Sequence, residues 1–172
     1  NTAFQYALEH GFDVLVTMDC DGQHQPRFVR EIASLIDESS DTPIDMVSGS
    51  RYLKDFEGDN AAPADRRAIN KRITECLNEK LGLSITDAFC GFKAYRVSSL
   101  AKLDITNNGY AMPLQLWIQA VDLSWNIREF AVPRVYLEEA RSFGGSLDDA
   151  NVRLAHYRSV LNAELERRGM DQ

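Results

Sequence analysis

Apolar runs and apolar stripes alternate along this chain, and the period of the pattern switches between two residues and one helical turn. Residues 13–18 carry Val14, Leu15, Val16 and Met18 as a run of the length of a buried strand. Pro26 opens a helix reaching about residue 37, with Phe28, Val29, Ile32, Leu35 and Ile36 as its inward stripe. Residues 39–43 read as a turn and 44–48 as a second strand. The polar, small-residue stretch 53–65 reads as a mobile loop. Ile69, Ile73, Cys76, Leu77 and Leu81 mark a long helix over 66–81, ended by Gly82. A third strand over 92–95, a short helix over 97–103 and a turn at 107–109 follow. Residues 113–123 are apolar nearly all round, which buries that helix or presses it against another surface. A strand over 125–132, a polar loop over 138–145 and an amphipathic helix over 147–168 complete the series. Ahead of it all, Ala3, Phe4, Ala7 and Leu8 share one stripe of a helix over 2–10.

This order predicts an α/β sandwich with a mostly parallel sheet, built as a single domain over residues 1–172. Four strands are few for a doubly wound sheet, and the chain opens at Asn1 inside a helical pattern. Further strands are therefore expected upstream. Composition adds little to the fold: 44% hydrophobic residues in 172 supply an ordinary core. The formal net charge of -7 argues against nucleic acid as the main partner and leaves room for a local basic pocket. Cys20, Cys76 and Cys90 share no metal-site spacing, and their odd number fits thiols of a reducing, cytoplasmic compartment. No apolar run approaches the ~18 residues that mark a membrane-spanning helix, and no signal peptide is visible.

The candidate chemistry follows the first strand. Asp19-Cys20-Asp21-Gly22-Gln23-His24 places two carboxylates one residue apart beyond a strand end, where open α/β sheets bind ligands. An extended tip would turn Asp19 and Asp21 to one side, where they can share a divalent cation with the Gln23 oxygen. A calcium loop would need Gly at its sixth position and Glu at its twelfth, and these positions hold His24 and Arg30. The alternative is a capped strand-to-helix turn. A hard cation on one or two carboxylates usually completes its shell with substrate phosphates, which points to a phosphorylated or nucleotide-bearing substrate. Arg51 follows a strand end and Gly49-Ser50, which lets a ligand approach the backbone. Arg66 and Arg67 stand at a helix start, where cations are disfavoured; they grip a phosphate there or are a solvated pair beside Asp65. Asp87 is a general base in a cleft or a turn-capping residue.

Five blocks in this order and spacing, VTMDCDGQHQP (16–26), VSGSRY (47–52), RRAINK (66–71), TDAFCGFKAYR (86–96) and GYAMPLQLWIQA (109–120), resemble the family 2 glycosyltransferases. The resemblance is to the branch of dolichol-phosphate mannose synthases and related polyprenyl-phosphate sugar transferases. Residues 127–147, with a P-x-x-Y stretch and then a basic Gly/Ser loop, resemble that family's closing segment. The likeness covers nearly the whole chain. It implies a GT-A fold, a GDP- or UDP-sugar donor, and Mg²⁺ or Mn²⁺ held by Asp19, Asp21 and Gln23. It implies that Arg51, Arg66, Arg67 and Asn70 contact donor or acceptor phosphate, and that Arg141 and Ser142 belong to a loop folding over the donor. Asp87 corresponds to a base candidate of some relatives, and Arg51 beside it to a catalytic arginine. Sugar transfer with inversion to a polyprenyl or dolichyl phosphate follows as the expected activity, with peripheral contact at the cytoplasmic membrane face. An acceptor bearing a sugar hydroxyl, or a non-catalytic nucleotide-binding subunit, are the alternatives. The family's acidic residue near Gln115 is an amide here, which weakens any base role at that position. The resemblance also implies that the pocket selecting the nucleotide base is expected upstream of Asn1.

Overall fold

The computed structural model describes residues 2–36, 41–137, 143 and 145–170. Helix α1 (Thr2–Glu9) leads into β1 (Val14–Thr17). A 3₁₀ turn (Pro26–Phe28) runs into α2 (Val29–Ser34), and β2 (Met46–Ser50) follows. Helix α3 (Ala64–Leu81) precedes β3 (Lys93–Arg96) and the single-turn α4 (Val97–Leu100). Then come α5 (Met112–Asp122), β4 (Ile127–Ala131), a second 3₁₀ turn (Gly145–Asp148) and α6 (Ala150–Arg168). The expected 26–37 helix is thus split into a 3₁₀ turn and a short α-helix, and its last position lies outside the described residues. The expected 147–168 helix starts at Ala150, because Asp149 accepts hydrogen bonds from the Asn151 and Val152 amides and caps it there.

The sheet order is β1-β3-β2-β4. The expected mostly parallel sheet is instead mixed: β3 runs antiparallel to both neighbours, and β2 with β4 is the parallel pair. The cause lies in the segment between α3 and β3. There Ile85 pairs with the Asn78 side chain through both its N–H and its C=O, and Asp87 reaches Arg51 just past the end of β2. The chain therefore re-enters the sheet at the C-terminal end of β2, and β3 runs back down.

Strand alternation sorts the core onto two faces. Leu15, Tyr95, Met46 and Ile127 pack with α1, α3, α5 and α6 through Phe4, Ile73, Leu77, Leu114, Trp117 and Leu161. Val14, Val16, Val47, Ala94 and Phe130 pack with Phe28, Ile32 and Ile36. On the first face, the row above the apolar one is polar across all four strands. Thr17 pairs with Lys93, Lys93 with Ser48, and Ser48 with Glu129. That polar row is the floor on which the site is built.

The helix expected to be apolar all round, α5, is buried from Leu114 to Ala120, including both its glutamines. Gln115 and Gln119 donate to the Glu164 carboxylate of α6 at 2.8 and 2.9 Å. No helix among the described residues is long and apolar enough to cross a membrane.

Candidate active site

A cavity of about 520 Å³ opens between the first sheet face, α3, α5 and α6. Asp19, Gln23, Arg51, Arg66, Asn70 and Lys93 are among its polar walls. Phe89, Tyr110, Met112, Leu116, Phe143 and Tyr157 give it an apolar side.

Asp87 is not itself a lining residue; behind Arg51 and Asn70, which are, it is 0% exposed and accepts five hydrogen bonds. Arg51 grips it as a fork, Nε to Oδ2 at 2.7 Å and Nη2 to Oδ1 at 3.0 Å, and adds its own backbone N–H. Asn70 Nδ2 donates to Oδ1 at 2.7 Å, and the Phe89 amide at 3.1 Å. Burial alone would raise this carboxyl, but the Arg51 charge and these donors more than offset it and hold it at about 2. Burial likewise works against the Arg51 charge, and Asp87 reverses that, so the guanidinium stays ionised. Arg51 Nη1 donates to the Tyr136 hydroxyl at 3.0 Å. The Thr86 and Asp87 amides donate to Glu129 of β4, which fixes the Asp87 loop to the sheet.

Asp19 stands where the loop after β1 meets the loop before β3. Thr17 Oγ1 donates to the Gly91 carbonyl at 2.9 Å, and Gly91 has no side chain to obstruct the Asp19 carboxylate beside it. The Asp19 side chain is 53% exposed, and His24 Nδ1 accepts its backbone N–H at 2.9 Å. Burial pushes the His24 pKa down, so the ring faces Asp19 uncharged at neutral pH. The extended tip expected for residues 19–23 is a turn, in which Asp21 Oδ1 accepts from the Gln23 amide at 3.1 Å. Asp19 and Gln23 therefore line the cavity and Asp21 does not. This set of hard oxygen donors fits Mg²⁺ or Mn²⁺. Among the described residues no three His, Cys, Asp or Glu side chains converge to hold a metal ion. A cation on Asp19 would thus take further ligands from substrate phosphates.

The two arginines at the start of α3 diverge. Arg66 lines the cavity, its guanidinium 5.2 Å from the centre of the Phe143 ring. Arg67 stacks on Tyr52 at 3.7 Å, away from the cavity lining. Asp65 beside them pairs with Arg153 of α6 at 2.6 Å. Asn70 directs its amide nitrogen to Asp87 and its oxygen to the Thr74 hydroxyl. Arg141 and Ser142 lie outside the described residues. Gln115 lies off the cavity lining, accepting from the Thr106 and Asn107 amides.

Of the stretch expected as a mobile loop, 53–65, the last two residues open α3, and the rest is irregular but pinned. Arg134 N donates to Asp59 Oδ1 at 2.8 Å, and the Asn60 side chain pairs with both backbone groups of Tyr136.

Sequence reasoning missed Lys93, Tyr136 and Arg153 as cavity residues. A lysine at an inward position of a strand was a usable signal for the first, and the P-x-x-Y stretch for the second. Arg153 sits on a helix whose pattern gives no hint that one arginine is 2% exposed.

Comparison with known proteins places these residues in context. The sequence model described as Glycosyl transferase family 2 matches residues 1–104. An undecaprenyl-phosphate mannosyltransferase of Micrococcus luteus is 30% identical over 90% of this chain and 63% of its own length. A polyprenol monophosphomannose synthase of Mycolicibacterium smegmatis is 31% identical over 90% of this chain and 57% of its own. The chain thus spans less than two thirds of either relative. Glucosyl-3-phosphoglycerate synthase from Mycobacterium tuberculosis, solved with uridine diphosphate, superposes with a TM-score of 0.59 at 18% identity, over 92% of this chain and 50% of that one. This last likeness concerns the fold.

Proposed function

Because the chain belongs to glycosyl transferase family 2, we propose that it serves in a catalytic domain that moves a hexose from a nucleotide-sugar donor to a polyprenyl phosphate. The reaction inverts the anomeric centre, depends on Mg²⁺ or Mn²⁺, and runs at the cytoplasmic face of a membrane. The observation that carries the acceptor class is the state of Asp87. A carboxylate held at about 2 and bonded to five donors is a weak base. A sugar hydroxyl would need a stronger one, whereas a lipid phosphate arrives already ionised. The names of both bacterial relatives favour the same acceptor.

In this reading Asp87 is a positioning residue that aims Arg51 into the cavity. Arg51 and Arg66 orient the acceptor phosphate and shield its charge from the donor diphosphate. Asp19, with Gln23, would hold the cation, which when bound would supply Lewis-acid neutralisation of the diphosphate leaving group. A phosphate oxygen of the acceptor bonds to the anomeric carbon as the bond to the diphosphate oxygen breaks on the opposite side. The apolar side of the cavity, from Phe89 to Tyr157, excludes water that would hydrolyse the donor.

The test is transfer of label from GDP- and UDP-sugars to polyprenyl phosphate by the full-length protein with Mn²⁺. Label is expected in the organic phase and lost at least ~100-fold in Asp19→Asn. Donor binding without lipid labelling would move the acceptor to a hydroxyl. A folded full-length protein that binds no donor would leave a non-catalytic subunit as the answer.

A further inference from the structure

Lysine is rarely buried without a paired acid, because the desolvated ammonium is costly. Lys93 is 2% exposed, sits on the floor of the cavity, and has no such acid in contact among the described residues. Its Nζ donates to Ser48 Oγ and lies 4.9 Å from the centre of the Trp117 ring. The carboxylate of its own row, Glu129, is one strand further on and is occupied by Thr86 and the Asp87 amide. The buried carboxylate of the site, Asp87, is already matched by Arg51. An ammonium has three donors, and one ends on Ser48. The other two point to no acid in contact among the described residues, and the side chain lines the cavity.

We propose that Lys93 binds a phosphoryl oxygen of the ligand that enters this cavity. The inference rests on the glycosyltransferase reading and adds a residue to it. The shared chemistry is a phosphate anion, supplied by the donor diphosphate or by the acceptor phosphate. Pairing with Thr17, two residues before Asp19, puts Lys93 on the metal side of the cavity. Burial lowers the pKa of the amine; Cys90, Asp87 and Glu129 pull it back up, and Arg51 pushes it down again. A bound phosphate would complete the charge balance.

The test is calorimetric titration of the full-length protein, wild type and Lys93→Met, with GDP and UDP in the presence of Mn²⁺ and separately with a short-chain polyprenyl phosphate. Loss of at least ~10-fold in affinity is expected for one of the two ligand types, which names the source. In the wild type that affinity should fall as pH rises and the lysine loses its proton; in Lys93→Met it should not. A buried methionine that merely repacks would leave both affinities and the pH profile unchanged, which overturns the inference. Should the methionine variant fail to fold, Lys93→Arg decides. Binding kept, with the high-pH fall abolished, supports it, and an unchanged fall overturns it. A wild type that binds neither ligand defeats the functional reading itself.

Discussion

At the scale of single residues, the site is governed by what each charge is bonded to. Asp87 and Arg51 are 36 positions apart, and neither segment names the other as its partner. Their fork leaves the carboxylate too acidic to be a useful base and makes the arginine a fixed cation. Asp19 owes its freedom to a missing side chain: a Cβ on Gly91 would stand 2.9 Å from Asp19 Oδ2 and 3.0 Å from Oδ1. Gly91→Ala is therefore expected to keep the fold, since an exposed carboxylate can move aside. Displacing the carboxylate proposed to hold the cation should weaken Mn²⁺-dependent nucleotide binding by roughly tenfold or more. Circular dichroism and calorimetry with GDP and UDP would check both halves. Undiminished metal-dependent binding would remove Asp19 from the ligand set.

At the scale of elements, close contacts between strands and helices set the positions of those residues. Strands β2 and β3 meet at Gly49, whose N–H donates to the Phe92 carbonyl at 2.7 Å. A Cβ there would lie 2.6 Å from that same oxygen and 3.0 Å from Cys90 Sγ. Both neighbours are buried in the segment leading into β3, so that segment and β2 must part. Gly49→Ala is expected to destabilise by about 1–3 kcal/mol, read as a lower denaturant midpoint at unchanged slope. A midpoint equal to wild type would show that the β2–β3 contact is looser than described. Helix α5 is tied to the same region, because Trp117 Nε1 donates to the Ala88 carbonyl at 2.9 Å, next to Asp87. Its two glutamines, met by Glu164 with Arg167 and Arg168, explain how a helix buried all round tolerates polar residues.

At the scale of the molecule, the acid side of the stability curve reports the buried pair. The Asp87 carboxyl lies near 2 in the folded chain, below its ordinary 3.8. Its contribution is therefore complete above about pH 4 and is lost as pH falls through about 2. The amount at neutral pH is on the order of 2 kcal/mol. Stability should drop between pH 4 and 2 in wild type. Asp87→Asn should start on the order of 3 kcal/mol lower, with Arg51 left unpaired, and show a shallower drop. Denaturant melts at several pH values decide, and equal slopes would show that Asp87 is not the group titrating. With a net charge of -7 around a cavity lined by Arg51, Arg66, Lys93 and Arg153, the proposed anion preference is a local matter, invisible to composition. The sequence by itself determined the elements, because the periods of apolar residues are local facts: β1, α3, α5 and α6 lie within a few residues of where the pattern put them. It also determined the family, through blocks of fixed order and spacing. The sheet's mixed direction depended on where the α3–β3 segment re-enters, which no local pattern encodes. The tertiary structure alone decided that Arg66 and not Arg67 faces the cavity, that Asp87 serves Arg51, and that Lys93 lies in the floor. Each of these rests on contacts between residues far apart in the chain, and charge and pKa are set by such contacts, not by residue type.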